Sequence, residues 1–244
     1  MKRRVDLNCD LGEGAGHDAE LMALITSANI ACGAHAGDEA TMRATVALAD
    51  ALEVRVGAHP GFADRENFGR LEQPLTAEQA AELVMNQVGA LAKIAGDKLR
   101  QVKLHGAFYH QVSRDARLAA AVADKLYRFW PELTLLALAG SELARAGRER
   151  GLTVAQEVFA DRTYQPDGSL TPRSRPNALI HDEAAAGAQV LRMVREGVVR
   201  ATDGTDVRIE ADTVCLHGDG AHAVEFARRL RRELESAGIA VRPI

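Results

Sequence analysis

A chain of 244 residues with 47% apolar content can bury one large α/β domain or two small ones, and aromatics at 4% leave Ala, Leu and Val to fill the core. A formal net charge of −4 excludes a general nucleic-acid binder, because the basic run over 228–232 is interleaved with Leu230 and reads as a solvated helix face. Cys9, Cys32 and Cys215 form no C-x-x-C pair, and no apolar run has the pattern of a signal peptide or the ~20-residue length of a membrane span; a soluble, cytoplasmic protein is expected.

The first element is a strand over 5–11, where Val5, Leu7, Cys9 and Leu11 alternate with Asp6, Asn8 and Asp10. Gly12, Gly14 and Gly16 end it in a loop, and an amphipathic helix is expected over 17–27. A second strand over 28–33 leads to His35 and to Asp38, the N-cap of a helix ending near Leu52. The third strand, over 54–59, closes at His59-Pro60-Gly61. A long connection over 62–76 then carries Asp64, Arg65 and Arg70, and Thr76 with Gln79 opens a helix as a variant capping box. The fourth strand covers 101–105 and is followed by Gly106, Tyr109 and His110, then by a helix carrying Leu118, Val122 and Leu126 that stops at Pro131. The apolar run over 133–138 reads as a strand buried on both faces. Ser141 caps a helix ending at Gly151, and a sixth strand over 153–159 carries Glu157. A polar loop over 160–175 bears Asp161, Arg162, Tyr164 and Arg173. A helix over 182–196, a hairpin or irregular excursion over 201–210, a last strand over 213–217 and a helix to Ser236 complete the chain.

No linker or composition break divides residues 1–244, which predicts one domain. Repeated strand–helix alternation predicts a parallel α/β sheet. Polar residues close nearly every strand, which favours a distorted parallel (β/α) barrel over an open doubly wound sheet with a single switch point.

Four histidines, His35, His59, His105 and His217, come at or just after strands, and each is followed by glycine within two residues. In a parallel barrel these ends share one face. If the more apolar parity packs on the outer helices, His59, His105 and His217 point inward, as do Asp6, Asn8, Asp10 and Lys103. Inward carboxylates need partners, and such a coupled cluster is where perturbed pKa values and chemistry reside. The charged loops suggest lids whose arginines grip an anionic substrate. No dinucleotide fingerprint, phosphate-cradling G-x-x-x-x-G-K-[ST] or G-x-S-x-G elbow occurs.

Asp6-Leu-Asn-Cys-Asp-Leu-Gly-Glu13, Ala28-Asn-Ile-Ala-Cys-Gly33, His35-Ala-Gly-Asp38, Gly57-Ala-His-Pro60 and Asp64-Arg-Glu-Asn-Phe-Gly-Arg70 resemble the LamB/YcsF family. Lys103-Leu-His-Gly106, Glu157-Val-Phe-Ala-Asp-Arg162 with Tyr164, Pro172-Arg173 and Val214-Cys-Leu-His-Gly-Asp219 continue the match over nearly the whole chain. The resemblance implies a barrel of the glycoside hydrolase/deacetylase type and opening of the lactam 5-oxoproline to glutamate. That reaction would consume ATP with Mg2+ and involve two other 5-oxoprolinase subunits; self-association is left open.

The inward groups and matched motifs together give Asp10, His59, Lys103 and His105 as the catalytic set. Asp10, with His59, would orient or deprotonate water, while Lys103 and His105 would stabilise developing charge or hold a phosphate. Asp6, Asn8, Glu13, Asn29, His35, Asp64, Arg65, Arg70, Tyr109, Glu157, Asp161, Arg162, Arg173 and His217 are expected around the substrate. No tightly bound transition metal is expected. A rival reading, a metal-dependent deacetylase of an amino sugar, would use Asp10, His59 and His105 as ligands; a second rival is a non-catalytic scaffold.

Overall fold

A computed structural model describes residues 4–216 and 223–244. Its elements in order are β1 (Arg4–Leu11), α1 (Asp18–Met22), β2 (Ser27–Ala31), α2 (Glu39–Ala51), β3 (Arg55–His59), α3 (Ala77–Ala95), β4 (Leu99–Lys103), α4 (Gly106–Arg114), α5 (Ala116–Phe129) and β5 (Thr134–Leu138). They continue with α6 (Glu142–Arg150), β6 (Val154–Phe159), α7 (Glu183–Glu196), β7 (Val198–Arg200), β8 (Asp206–Arg208), β9 (Thr213–Leu216), α8 (Ala223–Ser236) and β10 (Ala240–Val241).

Among the described residues, seven parallel strands close a barrel in the order β1-β2-β3-β4-β5-β6-β9, with β9 pairing back onto β1. β10 extends the sheet by pairing Ala240 and Val241 with Arg4 and Val5. The barrel is uneven where the β3–β4 register shifts between Val56 and Gly57. There, a Cβ on Gly57 would lie 2.4 Å from Gln101 Cγ, so the absent side chain makes room for the glutamine inside. Apolar residues of each strand face the helix layer, as Leu7, Cys9 and Leu11 do on β1. On α3, Val84, Val88 and Leu91 are wholly buried at i, i+4, i+7 spacing, worth roughly 1.5–3 kcal/mol each. Thr76 caps α3 through a capping box with Gln79. Asp38, Ser141 and Asp182 cap α2, α6 and α7 through their side chains. Among the described residues, no helix is long and apolar enough to cross a membrane.

Several elements differ from the sequence reading. The helix expected over 17–27 is five residues long, and Ser27 already belongs to β2. The Thr26 and Ser27 hydroxyls both donate to Asp6 Oδ1 at 2.6 Å, which draws this segment against β1 instead of continuing a helix. β4 begins at Leu99 and ends at Lys103, so His105 is the residue preceding α4 and not the end of a strand. Gly106, at φ +53°, makes that turn; a Cβ there would lie 2.6 Å from Gly69 O. α4 is a helix of its own, which the sequence pattern does not separate from α5; Asp115 ends it while its carboxylate caps α5. The excursion after α7 is an antiparallel hairpin of β7 and β8, starting earlier than expected. His217 lies outside the described residues.

Candidate active site

The inward parity of β1 builds a polar column. Asp6 accepts hydrogen bonds from Thr26, Ser27 and Thr213. Asn8 donates to Thr213 Oγ1 at 2.7 Å and accepts from Asn29 Nδ2 at 2.8 Å. Gln101 Nε2 reaches Asn29 Oδ1 at 3.2 Å, and Asn29 Nδ2 also donates to Asp10 Oδ1 at 2.9 Å. Interlocked donors and acceptors of this kind hold one arrangement rigidly. Burial raises the Asp6 carboxyl despite its three hydroxyl partners.

Above the column sits a buried ammonium. Lys103 Nζ lies 2.9 Å from Asp10 Oδ1, 3.0 Å from Glu157 Oε1, 3.2 Å from Asn8 Oδ1 and 3.0 Å from Cys215 Sγ. Glu157 also accepts from the Tyr109 hydroxyl at 2.6 Å. Burial alone would push Lys103 down, but Asp10 above all, with Cys215 and Glu157, carries it well above the usual lysine range. Burial would likewise raise Asp10; His59 and Lys103 outweigh it and hold the carboxylate well below its ordinary value. The Cys215 thiol is pushed up by burial more than Lys103 pulls it down.

Beside Asp10 stands an imidazole cluster. His59 Nε2 is 3.2 Å from Asp10 Oδ2, and His105 Nδ1 is 3.0 Å from His59 Nε2. The His35 ring stacks on His105 with centroids 3.7 Å apart, and His35 Nε2 meets Glu13 Oε1 at 2.9 Å. Glycines back this stack: a Cβ on Gly61 would fall 2.9 Å from His35 Nδ1, and one on Gly69 would fall 3.0 Å from both His35 and His105. Burial, with His59, drives His35 down to about 3, and His105 falls for the same two reasons. Burial lowers His59 too, but Asp10 reverses the sign and raises it. Burial lifts Glu13 to about 7, against the pull of His59.

Asp10, Glu13, Lys103 and His105 line the floor of an open cleft of about 1390 Å³, and Arg70, Tyr109, His110 and Arg173 form its walls. Other expected substrate contacts lie elsewhere. Asp6, Asn8 and Asn29 are buried beneath the floor, His35 and His59 lie behind it, and Glu157 is sealed by Lys103 and Tyr109. Asp64 bonds Asn67 within its own turn, Arg65 bonds the Gly33 and Gly37 carbonyls, and neither lines the cleft. Asp161 is also off the lining. Arg162 touches the cleft but is only 2% exposed, and its guanidinium donates to Thr171 O at 2.6 Å and Ala178 O at 3.4 Å. A long loop must satisfy its own carbonyls, and Arg162 serves that need. The sequence reading missed the contacts of Gln101 and Cys215, although both share the inward parity of their strands, and the cleft-wall position of Arg114, which carries no motif.

The LamB/YcsF family model matches residues 5–244. A 5-oxoprolinase subunit from Bacillus licheniformis is 52% identical, covering 98% of this chain and 97% of its own. The corresponding 5-oxoprolinase subunit from Bacillus subtilis is 51% identical, covering 99% and 97%. A crystal structure of a lactam utilization protein from Thermus thermophilus superposes with a TM-score of 0.91 at 43% identity, covering 99% of this chain and 100% of that one. A family 4 carbohydrate esterase from Streptomyces lividans shares the fold alone, at TM-score 0.51 and 12% identity over 98% of this chain and 91% of that one.

Proposed function

This chain belongs to the LamB/YcsF family, and from that premise we propose that it is the lactam-handling subunit of a cytoplasmic 5-oxoprolinase, opening 5-oxoproline to glutamate at the expense of ATP with Mg2+. The observation that carries the reading is Asp10, held ionised at the floor of a cleft between Lys103 and His59. The names of its relatives supply the substrate class. A five-membered lactam is a poor electrophile. Transfer of the γ-phosphoryl group of ATP to its amide oxygen, with ADP leaving, would make the carbon open to water. The ring C–N bond would then break with the nitrogen taking up a proton, and a second water would cleave the resulting acyl phosphate to the carboxylate and inorganic phosphate.

In this reading Asp10 Oδ2 faces the attacking water and accepts its proton as the C–O bond forms. Lys103 is a positioning residue: its three N–H groups are taken by Asp10, Asn8 and Cys215 while its charge lies against Glu157, which keeps Asp10 anionic instead of offering a donor to substrate. Arg70 and Arg173 give the cleft wall positive charge suited to a carboxylate or phosphate. A cleft of about 1390 Å³ is much larger than one lactam ring, and its size suits a mouth shared with a second reactant or a docked partner. An activated lactam would be lost to water if released, which favours docking of the partner over that mouth.

A mixing assay measuring ADP and glutamate tests the division of labour. The purified chain alone is expected to release neither product above background. Adding the two partner subunits is expected to restore both, coupled to each other. Full activity from this chain alone would refute the reading.

A further inference from the structure

Two imidazole nitrogens, His59 Nε2 and His105 Nδ1, face each other across 3.0 Å behind the cleft floor. The opposite nitrogen of each ring lies against a backbone carbonyl: His59 Nδ1 is 2.9 Å from Lys103 O, and His105 Nε2 is 2.8 Å from Phe68 O. A carbonyl only accepts, so neutral rings must carry their protons on those outer nitrogens and present lone pairs to each other. Facing lone pairs repel. The pair needs a cation, which is either an extra proton on one ring or a metal ion.

Glu13 Oε1 reaches the same point, 3.4 Å from His105 Nδ1, 3.8 Å from His59 Nε2 and 2.9 Å from His35 Nε2. The four residues each offer a donor atom within 4.8 Å of the others. Ligands around a tetrahedral zinc ion, with Zn–N near 2.0–2.1 Å, stand about 3.4 Å apart, so small shifts suffice. Outer nitrogens tied to carbonyls are also what fixes the tautomer of a ligating histidine. Three carboxyl groups, of Asp10, Glu13 and Glu157, stand in and beside the cluster, set against the charges of Lys103, Arg65 and Arg70.

We propose that Glu13, His35, His59 and His105 form a site for a divalent transition-metal ion, with zinc as the ion their donors suit. The proposal does not rest on the lactam reading. It replaces the sequence expectation of no tightly held metal, and it replaces Asp10 as the acidic ligand of the rival metal reading. Asp10 Oδ1 is held by Lys103 and Asn29 and its Oδ2 meets only His59 among the rings, at 3.2 Å, whereas Glu13 stands within reach of all three. On binding, the ion takes the place of the proton shared between His59 Nε2 and its neighbours, so uptake releases a proton.

The full chain, stripped with chelator and reloaded with zinc chloride, is expected to retain about one equivalent after desalting. Cobalt chloride is expected to give the intense visible bands of four-coordinate Co2+. Glu13→Gln and His105→Gln are expected to weaken zinc binding at least tenfold or so, with circular dichroism confirming their fold. If either variant misfolds, the wild-type cobalt spectrum and stoichiometry decide alone. Folded wild-type chain that retains far less than one equivalent, or gives only the pale spectrum of six-coordinate cobalt, would overturn the proposal. So would undiminished zinc binding in both folded variants. None of these readouts uses lactam or ATP, so failure here leaves the proposed activity standing, and the converse also holds.

Discussion

Asp10→Asn is expected to fold and to lower 5-oxoproline turnover, measured with both partner subunits present, by roughly 100-fold or more. The replacement amide matches the carboxylate in size and can still accept from Asn29 and Lys103, which meet Asp10 Oδ1 at 2.9 Å each. It cannot take a proton, and its NH2 group would face the Nε2 that His59 now holds 3.2 Å from Oδ2. The loss should appear in kcat with KM little changed, because Asp10 is assigned to the attack on carbon and not to gripping the lactam. A purely structural Asp10 would lose stability and keep its rate per folded molecule. A folded variant retaining more than about a tenth of wild-type kcat would remove Asp10 from the water-activating role.

Lys103→Met is expected to have the largest effect on stability of any single change in the barrel interior. Its ammonium is the shared partner of Asp10 and Glu157, and both carboxyl groups would be left without it. Removing one member of a buried ion pair costs roughly 3–5 kcal/mol, which corresponds to a melting temperature lower by roughly 6–20 °C in a chain of this size. Thermal or urea unfolding reads this directly. The double variant Lys103→Met with Glu157→Gln should recover part of the loss, since it removes one unpaired carboxylate along with the ammonium. A loss below about 1 kcal/mol in the single variant would show that the charges are balanced by water or by other groups, contrary to the network described.

Local chemistry made much of the fold legible. Asp38, Thr76 and Ser141 could be read as caps because a cap is a contact three residues long. Alternation along β1 and β4 was enough to turn Asp6, Asn8, Asp10 and Lys103 inward, where Lys103 meets Asn8 and Asp10. What depended on distant segments was hidden. His105 looked like the end of a strand, yet it precedes a helix whose entry Gly106 makes close to Gly69. Arg162 looked like a gripping arginine, yet it holds carbonyls of its own loop. Glu13 sits in a glycine-rich loop with no periodicity to orient it. It reaches the histidines because two loops press together there: a Cβ on Gly37 would lie 2.9 Å from Gly12 O. β10, at two residues, is too short to leave a pattern.

If the lactam reacts in this cleft, a crystal structure of the chain soaked with 5-oxoproline will catch it there. The ring is expected at the cleft floor, its carboxylate toward Arg70 or Arg173, and its carbonyl carbon about 3–3.5 Å from a water held by Asp10. A lactam seated on one of the partner subunits in the assembled complex, with this cleft bare at saturating concentration, would contradict it.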